Sequence, residues 1–173
     1  MREMTTMMRI GVAALALALM AGGAAAQQTQ GEVHANYQRG TATHMNAWGV
    51  GGLVQETLGA SKAPVRVSLT LGPDYLKQEN GGPSAASVSV DATLQPGGGG
   101  AVTPYAGGSV SSNWSFGDNR QYEGARLGTE AVGGVQVKLD ALGSLVTKLE
   151  ERFGYVNGQE HTLTTRFGFL MSL

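Results

Sequence analysis

Apolar and polar residues alternate along most of the chain, most clearly in its last twelve residues. Leu163, Thr165, Phe167, Phe169, Met171 and Leu173 fall in one phase. Thr162, Thr164, Arg166, Gly168, Leu170 and Ser172 fall in the other. Successive side chains of a β-strand point to opposite faces, so the segment predicts a strand with one apolar face and one mainly polar or small face. Seven further segments are strand candidates: residues 32–39, 47–58, 64–76, 85–95, 102–114, 125–139 and 145–156. In the fourth of these, Ala86, Val88, Val90, Ala92 and Leu94 oppose Ser87, Ser89, Asp91, Thr93 and Gln95. In the seventh, Leu145, Leu149, Phe153 and Tyr155 oppose Lys148, Glu150 and Arg152. Residues 142–152 also fit a short helix, because Leu142, Leu145 and Leu149 keep a helical spacing.

The breaks between these segments carry turn chemistry. Residues 59–62, 96–100 and 140–143 form one set, and residues 40–46, 77–84, 115–124 and 157–160 form the other. Gly, Pro, Asn and Asp supply the backbone conformations that turns require. An up-and-down arrangement puts the two sets at opposite ends. The expected fold is all-β: an eight-stranded antiparallel up-and-down transmembrane β-barrel. An even strand count would bring both termini to the periplasmic side.

The first 26 residues read as a cleavable export signal. Arg2 and Arg9 are basic, residues 10–20 form an apolar run, and Ala24-Ala25-Ala26 offers a small-residue cleavage site. The apolar run is too short to cross a bilayer as a helix, which takes ~20 residues. An uncleaved anchor is the alternative. Residues 27–173 are then the barrel domain, with 10 basic and 12 acidic residues once Arg2, Arg9 and Glu3 are removed from the totals of 12 and 13. That balance excludes the basic footprint of a nucleic-acid binder. With no cysteine there is no disulfide, no acylated cysteine and no thiolate metal site.

Aromatic positions support the membrane reading. Tyr37, Trp48, Tyr75, Trp114, Phe153 and Tyr155 all fall at one predicted end of their strands, taken as the outer one. Tyr105 and Phe169 fall at the other. Two aromatic girdles at headgroup level suit a spanning barrel, whereas a soluble β-sandwich would mix its aromatics along the strands. The opposite phase would carry His34, Arg66, Asp91, Glu130, Lys138, Lys148, Glu150, Arg152 and Arg166 into the interior. Eight strands leave room only for side chains, so a plugged, charge-paired core is expected rather than an open pore.

Two local motifs sharpen this. Thr103-Pro104-Tyr105-Ala106-Gly107-Gly108 and the terminal Arg166-Phe167-Gly168-Phe169-Leu170-Met171-Ser172-Leu173 resemble segments of the small OmpA-type and OmpX-type outer-membrane barrels. The resemblance covers about residues 32–173. It implies residence in the bacterial outer membrane, contact with outer-membrane lipids, and a last strand read by the barrel insertion machinery. Phe167, Phe169, Met171 and Leu173 would carry that assembly signal, although the family usually ends in an aromatic residue and this chain ends in Leu173. The cell-wall-binding domain of longer relatives is not expected here.

Other chemistry is weakly signalled. Some eight-stranded barrels are lipid A deacylases with a His-x-Ser motif, but His161 is followed by Thr162 and Leu163. A dispersed site of His161, Ser111 or Ser112 and Glu130 remains conceivable, because such triads are defined by geometry. His34 and His44 lack a compact third ligand, so no metal is expected. Gly97 to Gly100 lacks the Lys-Ser/Thr and helix of a phosphate loop. No cofactor is implied. The leading expectation is a non-enzymatic barrel with an envelope-structural or surface-interaction role. The alternatives are a narrow channel for small hydrophilic solutes or ions and a lipid-modifying enzyme.

Overall fold

The computed structural model describes residues 26–41, 46–59, 63–98, 100–116, 125–139, 145–156 and 161–173. Of the expected export signal, residues 1–26, all but Ala26 lie outside them, as do most of the connecting residues. Eight strands run in chain order: β1 (Ala26–Gly40), β2 (Asn46–Leu58), β3 (Val65–Gln78), β4 (Ser84–Pro96), β5 (Val102–Phe116), β6 (Arg126–Lys138), β7 (Leu145–Val156) and β8 (His161–Ser172). Each pairs antiparallel with its sequence neighbours, and β1 also pairs with β8, from Gln30↔Ser172 to Gly40↔Thr162. The sheet is therefore a closed barrel without a free edge.

Most strand limits lie within two residues of those the alternation predicts. β1 is the exception, beginning at Ala26 rather than residue 32. Its extra residues show little apolar alternation, yet they continue the ladder with β2 through Thr29↔Glu56 and Gln30↔Gln55. The helical alternative for residues 142–152 is overturned from Leu145 onward. There β7 is held by ladders on both sides, including Leu149↔Val135 and Leu149↔Phe167. The remaining residues of that stretch, 142–144, are outside the described ones.

The polarity of the two faces is inverted relative to a water-soluble domain. Buried positions include Glu32, His34, Asn36, Asp91, Lys148, Glu150, Arg152 and Arg166. Exposed ones include Val33, Val50, Val110, Leu127, Leu149, Phe153, Leu163 and Phe167. Charged side chains are almost never fully buried in soluble proteins unless paired, and an exposed apolar belt this continuous needs an apolar surrounding. The strands, 12 to 15 residues long, exceed the ~9–11 needed for a tilted membrane crossing.

The end where the chain enters and leaves is here called the terminal end, and the opposite end the distal one. Tyr37 and Trp48 pack together at the distal end with ring centroids 4.5 Å apart. Trp48 Nε1 donates to Glu79 Oε1 (2.7 Å), and the Tyr75 hydroxyl to Ser84 Oγ (2.9 Å). Trp114 lies on the outer phase of β5, opposite Ala86 of β4. Phe153 and Tyr155 flank His161, at 5.6 and 5.3 Å between centroids. Phe167 and Phe169 form an edge-on pair toward the terminal end. Met171 and Leu173 continue that outer face to the chain end. Tyr105 departs from expectation: it is 6% exposed and points into the barrel. Its phase on β5 is that of buried Ser109 and Ser111, whereas Val102, Pro104 and Val110 point outward.

Candidate functional site: the charged barrel interior

Alternation delivers one charged or polar side chain to the interior from every second residue, and antiparallel pairing sets neighbouring strands side by side. β7 contributes Lys148, Glu150 and Arg152 in one column. β8 adds Arg166, β1 adds Glu32, His34 and Asn36, β3 adds Asp74, β4 adds Asp91 and β6 adds Glu130.

These groups form one connected cluster. Lys148 Nζ contacts Glu32 Oε2 (3.0 Å) and Glu150 Oε2 (3.1 Å). Glu150 Oε1 meets Arg152 Nη1 (3.1 Å) and Arg166 Nη1 (3.3 Å). Arg152 is the hub. Its Nη1 and Nη2 hold both oxygens of Asp91 (3.0 and 2.7 Å), while Nε reaches Glu130 Oε2 at 2.7 Å. A planar guanidinium suits such two-pronged contacts, which a lysine ammonium cannot reproduce. Arg166 Nη2 donates to Asp74 Oδ2 (2.8 Å) and its Nε to Asn36 Oδ1 (3.0 Å). Asn36 Nδ2 and His34 Nε2 both lie 2.6 Å from Asp74 Oδ1. His34 Nδ1 is 3.0 Å from Glu32 Oε1, which closes the circuit.

Tyr105 joins this cluster. Its hydroxyl donates to Glu150 Oε2 (2.8 Å), and Lys148 Nζ lies 5.3 Å from the ring centroid. Glycine makes the approach possible. A side chain on Gly134 would meet the Tyr105 ring, and one on Gly51 would collide with Asp74 and His34. The smallest residue is placed where another backbone or side chain must come close.

Of the interior charges read from the sequence, His34, Asp91, Glu130, Lys148, Glu150, Arg152 and Arg166 are brought together. Lys138 is not: it closes β6 at the terminal end and is exposed. Arg66 points inward at the terminal end, level with Gln95. Glu32 and Asp74 are essential members that sequence reasoning did not single out as interior charges. Both were in phase with residues it did assign, Glu32 with His34 and Asp74 with Arg66.

Toward the distal end the interior leaves a cavity of about 40 Å³, bordered by Gln38, Ser87, Ser111 and Asn113 and reaching Arg152 and Arg166. At ~10–15 Å³ per water this is room for a few water molecules. The conceivable dispersed hydrolase site is not assembled. His161 sits on the outer face against Phe153 and Tyr155, while Ser111 and Glu130 point inward.

Closed antiparallel topology, an inverted polarity and a charged interior define the class of small eight-stranded membrane barrels. No family model and no curated protein matches the chain in sequence. Solved structures do match in fold. Neisserial surface protein A (NspA) is 14% identical, with a TM-score of 0.63 over 84% of this chain and 97% of that one. Ail, the attachment invasion locus protein of Yersinia pestis, is 13% identical, with a TM-score of 0.54 over 84% and 97%. The outer-membrane enzyme PagL is 14% identical, with a TM-score of 0.55 over 82% and 99%. The chain thus shares the fold of small outer-membrane barrels that include both a surface protein and an enzyme.

Proposed function

We propose that this is a non-enzymatic barrel of the bacterial outer membrane, with an envelope-structural or surface-interaction role and an interior plugged by polar and charged side chains. The observation that carries the reading is the continuous circuit from Lys148 through Arg152 and Arg166 to His34 and Glu32, which crosses the middle of the interior. An ion moving through would have to break buried contacts whose loss leaves uncompensated charges, at ~3–5 kcal/mol for a removed partner. The inverted polarity supports membrane residence, with the aromatic distal end outward and outer-membrane lipids around the belt. The last strand, with Phe167, Phe169, Met171 and Leu173 on its outer face, serves as the signal to the insertion machinery. Residues 1–26 act as the export signal.

A narrow channel is the second reading, favoured by the distal cavity that already brings water-sized space to Arg152 and Arg166. Planar-bilayer recording of the purified protein separates the two. The plugged reading expects no reproducible open state, and a steady unitary conductance would establish the channel. Fold likeness to PagL motivates one further assay: lipid A from expressing cells should keep its acyl pattern, and a changed pattern would overturn the non-enzymatic assignment.

A further inference from the structure

The distal cavity exists because two walls of the interior differ in side-chain length. Where they border it, β7 and β8 present the guanidinium groups of Arg152 and Arg166. Across the barrel, β4 presents Ser87 and Ser89, and β5 presents Ser111 and Asn113. Ser89 faces Ser111 across the β4–β5 ladder, and Ser87 faces Asn113. Gly128 of β6 stands next to Ser111, where a side chain would run into Ser111 Oγ and Asn113 Nδ2. Short residues on one wall therefore leave about 40 Å³ in front of the two arginines.

The charges around this space are already balanced. Two bases and two acids border it, and each acid is tied to a base: Glu130 Oε2 to Arg152 Nε at 2.7 Å, and Asp74 Oδ2 to Arg166 Nη2 at 2.8 Å. A free cation would sit against two guanidiniums, and a free anion against two carboxylates, in an enclosed site that solvates either poorly. Hydrogen-bonding capacity is what the wall has in surplus. Among the described residues, the hydroxyls of Ser87 and Ser89 bond to no other side chain. Gln38 and Asn113 commit their amide nitrogens to Thr164 Oγ1 and Ser111 Oγ, which leaves their carbonyl oxygens as acceptors.

Such a mixture of acceptors and rotatable hydroxyls is matched by hydroxyl groups, which both give and take hydrogen bonds. Size narrows the choice. At ~10–15 Å³ per water the space takes about three or four waters, and with ~30 Å³ of liquid volume each they have the bulk of a three-carbon polyol. We propose that the distal cavity is a binding site for a small uncharged polyol of glycerol size, held by Ser87, Ser89, Ser111 and Asn113 in front of the paired arginines. The site lies on the distal side of the charge circuit and needs no path through it, so it stands apart from the choice between plug and channel.

The folded full-length barrel in detergent micelles, labelled with 15N, is titrated with glycerol. Saturable shifts of the Asn113 and Gln38 side-chain amides are expected. Sodium chloride and sodium phosphate, which are ionic, and glucose, which is too large, should not produce them. Ser89→Ala removes one hydroxyl and should raise the half-saturating glycerol concentration about fivefold. Ser89→Val fills the space with methyl groups and should abolish saturation. Thr57→Val, in the interior near the terminal end, should leave the titration as it is. If Ser89→Val does not fold, Ser89→Ala decides, and an unchanged half-saturation there overturns the proposal. Three further results overturn it: shifts that grow in proportion to glycerol without saturating, a saturable response that survives in folded Ser89→Val, or saturation by the salts or glucose in place of glycerol. A steady unitary conductance in the bilayer recording overturns the plugged reading alone, so the two fail separately.

Discussion

The interior and the outer belt treat the same functional group in opposite ways. Inside, Glu32, Asp74, Asp91, Glu130 and Glu150 each touch a lysine or arginine, and Glu150 touches three. Outside, Glu151 meets a threonine hydroxyl in a field of apolar side chains. One residue of separation along β7 decides between these environments, because alternation sends Glu150 in and Glu151 out. The lesson is that a carboxyl's role in a barrel is set by phase before it is set by sequence neighbours. Inside, removing a charge leaves partners stranded. Outside, removing it relieves the contact with lipid.

That contrast can be broken at its hub. Arg152→Met should cost the most, ~3–5 kcal/mol, because Asp91, Glu130 and Glu150 all lose their shared cation. Denaturant unfolding of the lipid-reconstituted barrel, followed by gel mobility, measures it, and an unchanged midpoint would show that the circuit carries no stability. Gly51→Val should cost ~1–3 kcal/mol by overpacking against His34 and Asp74, with a smaller effect from Gly51→Ala. Tyr105→Phe should cost ~1.5–3 kcal/mol or less, since it deletes one hydrogen bond to a charged group and keeps the ring. Retention of full stability would return Tyr105 to a merely space-filling role. Glu151→Leu should change the sign: the same unfolding measurement on monomeric protein in dilute micelles should show a gain of up to ~1 kcal/mol, as lipid-facing carboxyls are penalised less than cations at ~2–4 kcal/mol.

Strand number, order and most boundaries were legible because each strand has one lipid-facing side, which forces a visible two-residue period. The start of β1 was not legible, since Gln28, Thr29 and Gln30 carry no apolar phase and are held by the ladder to β2. Much of the interior could be read by the same counting, and the misses show its limits. Asp74 keeps the inward phase of Arg66, Ser68 and Thr70, but it follows Pro73, where the β2–β3 pairing itself lapses between Gly51↔Asp74 and Val54↔Leu71. Tyr105 was assigned by residue type, as a girdle aromatic, when its phase with Ser109 and Ser111 already pointed inward. Lys138 was assigned by phase although a strand end has no enclosed interior to enter. Which acid meets which base was not legible at all, because those contacts depend on how far each strand is staggered around the closed cylinder.

The span of those contacts along the chain has a kinetic meaning. Lys148 reaches back 116 residues to Glu32, Arg166 reaches 92 to Asp74, and Arg152 reaches 61 to Asp91. Hairpins can form early from near neighbours, but contacts of such long range wait until distant parts of the chain meet. A curved sheet that has not joined β1 to β8 would hold these charges exposed to one another's absence, in or beside lipid. Partly inserted intermediates are thereby made expensive, and the last zipping step is the one that brings Glu32 to Lys148 and Asn36 to Arg166. The polar core acts as a latch that rewards completion, so the chain should enter the membrane as a single event rather than strand by strand.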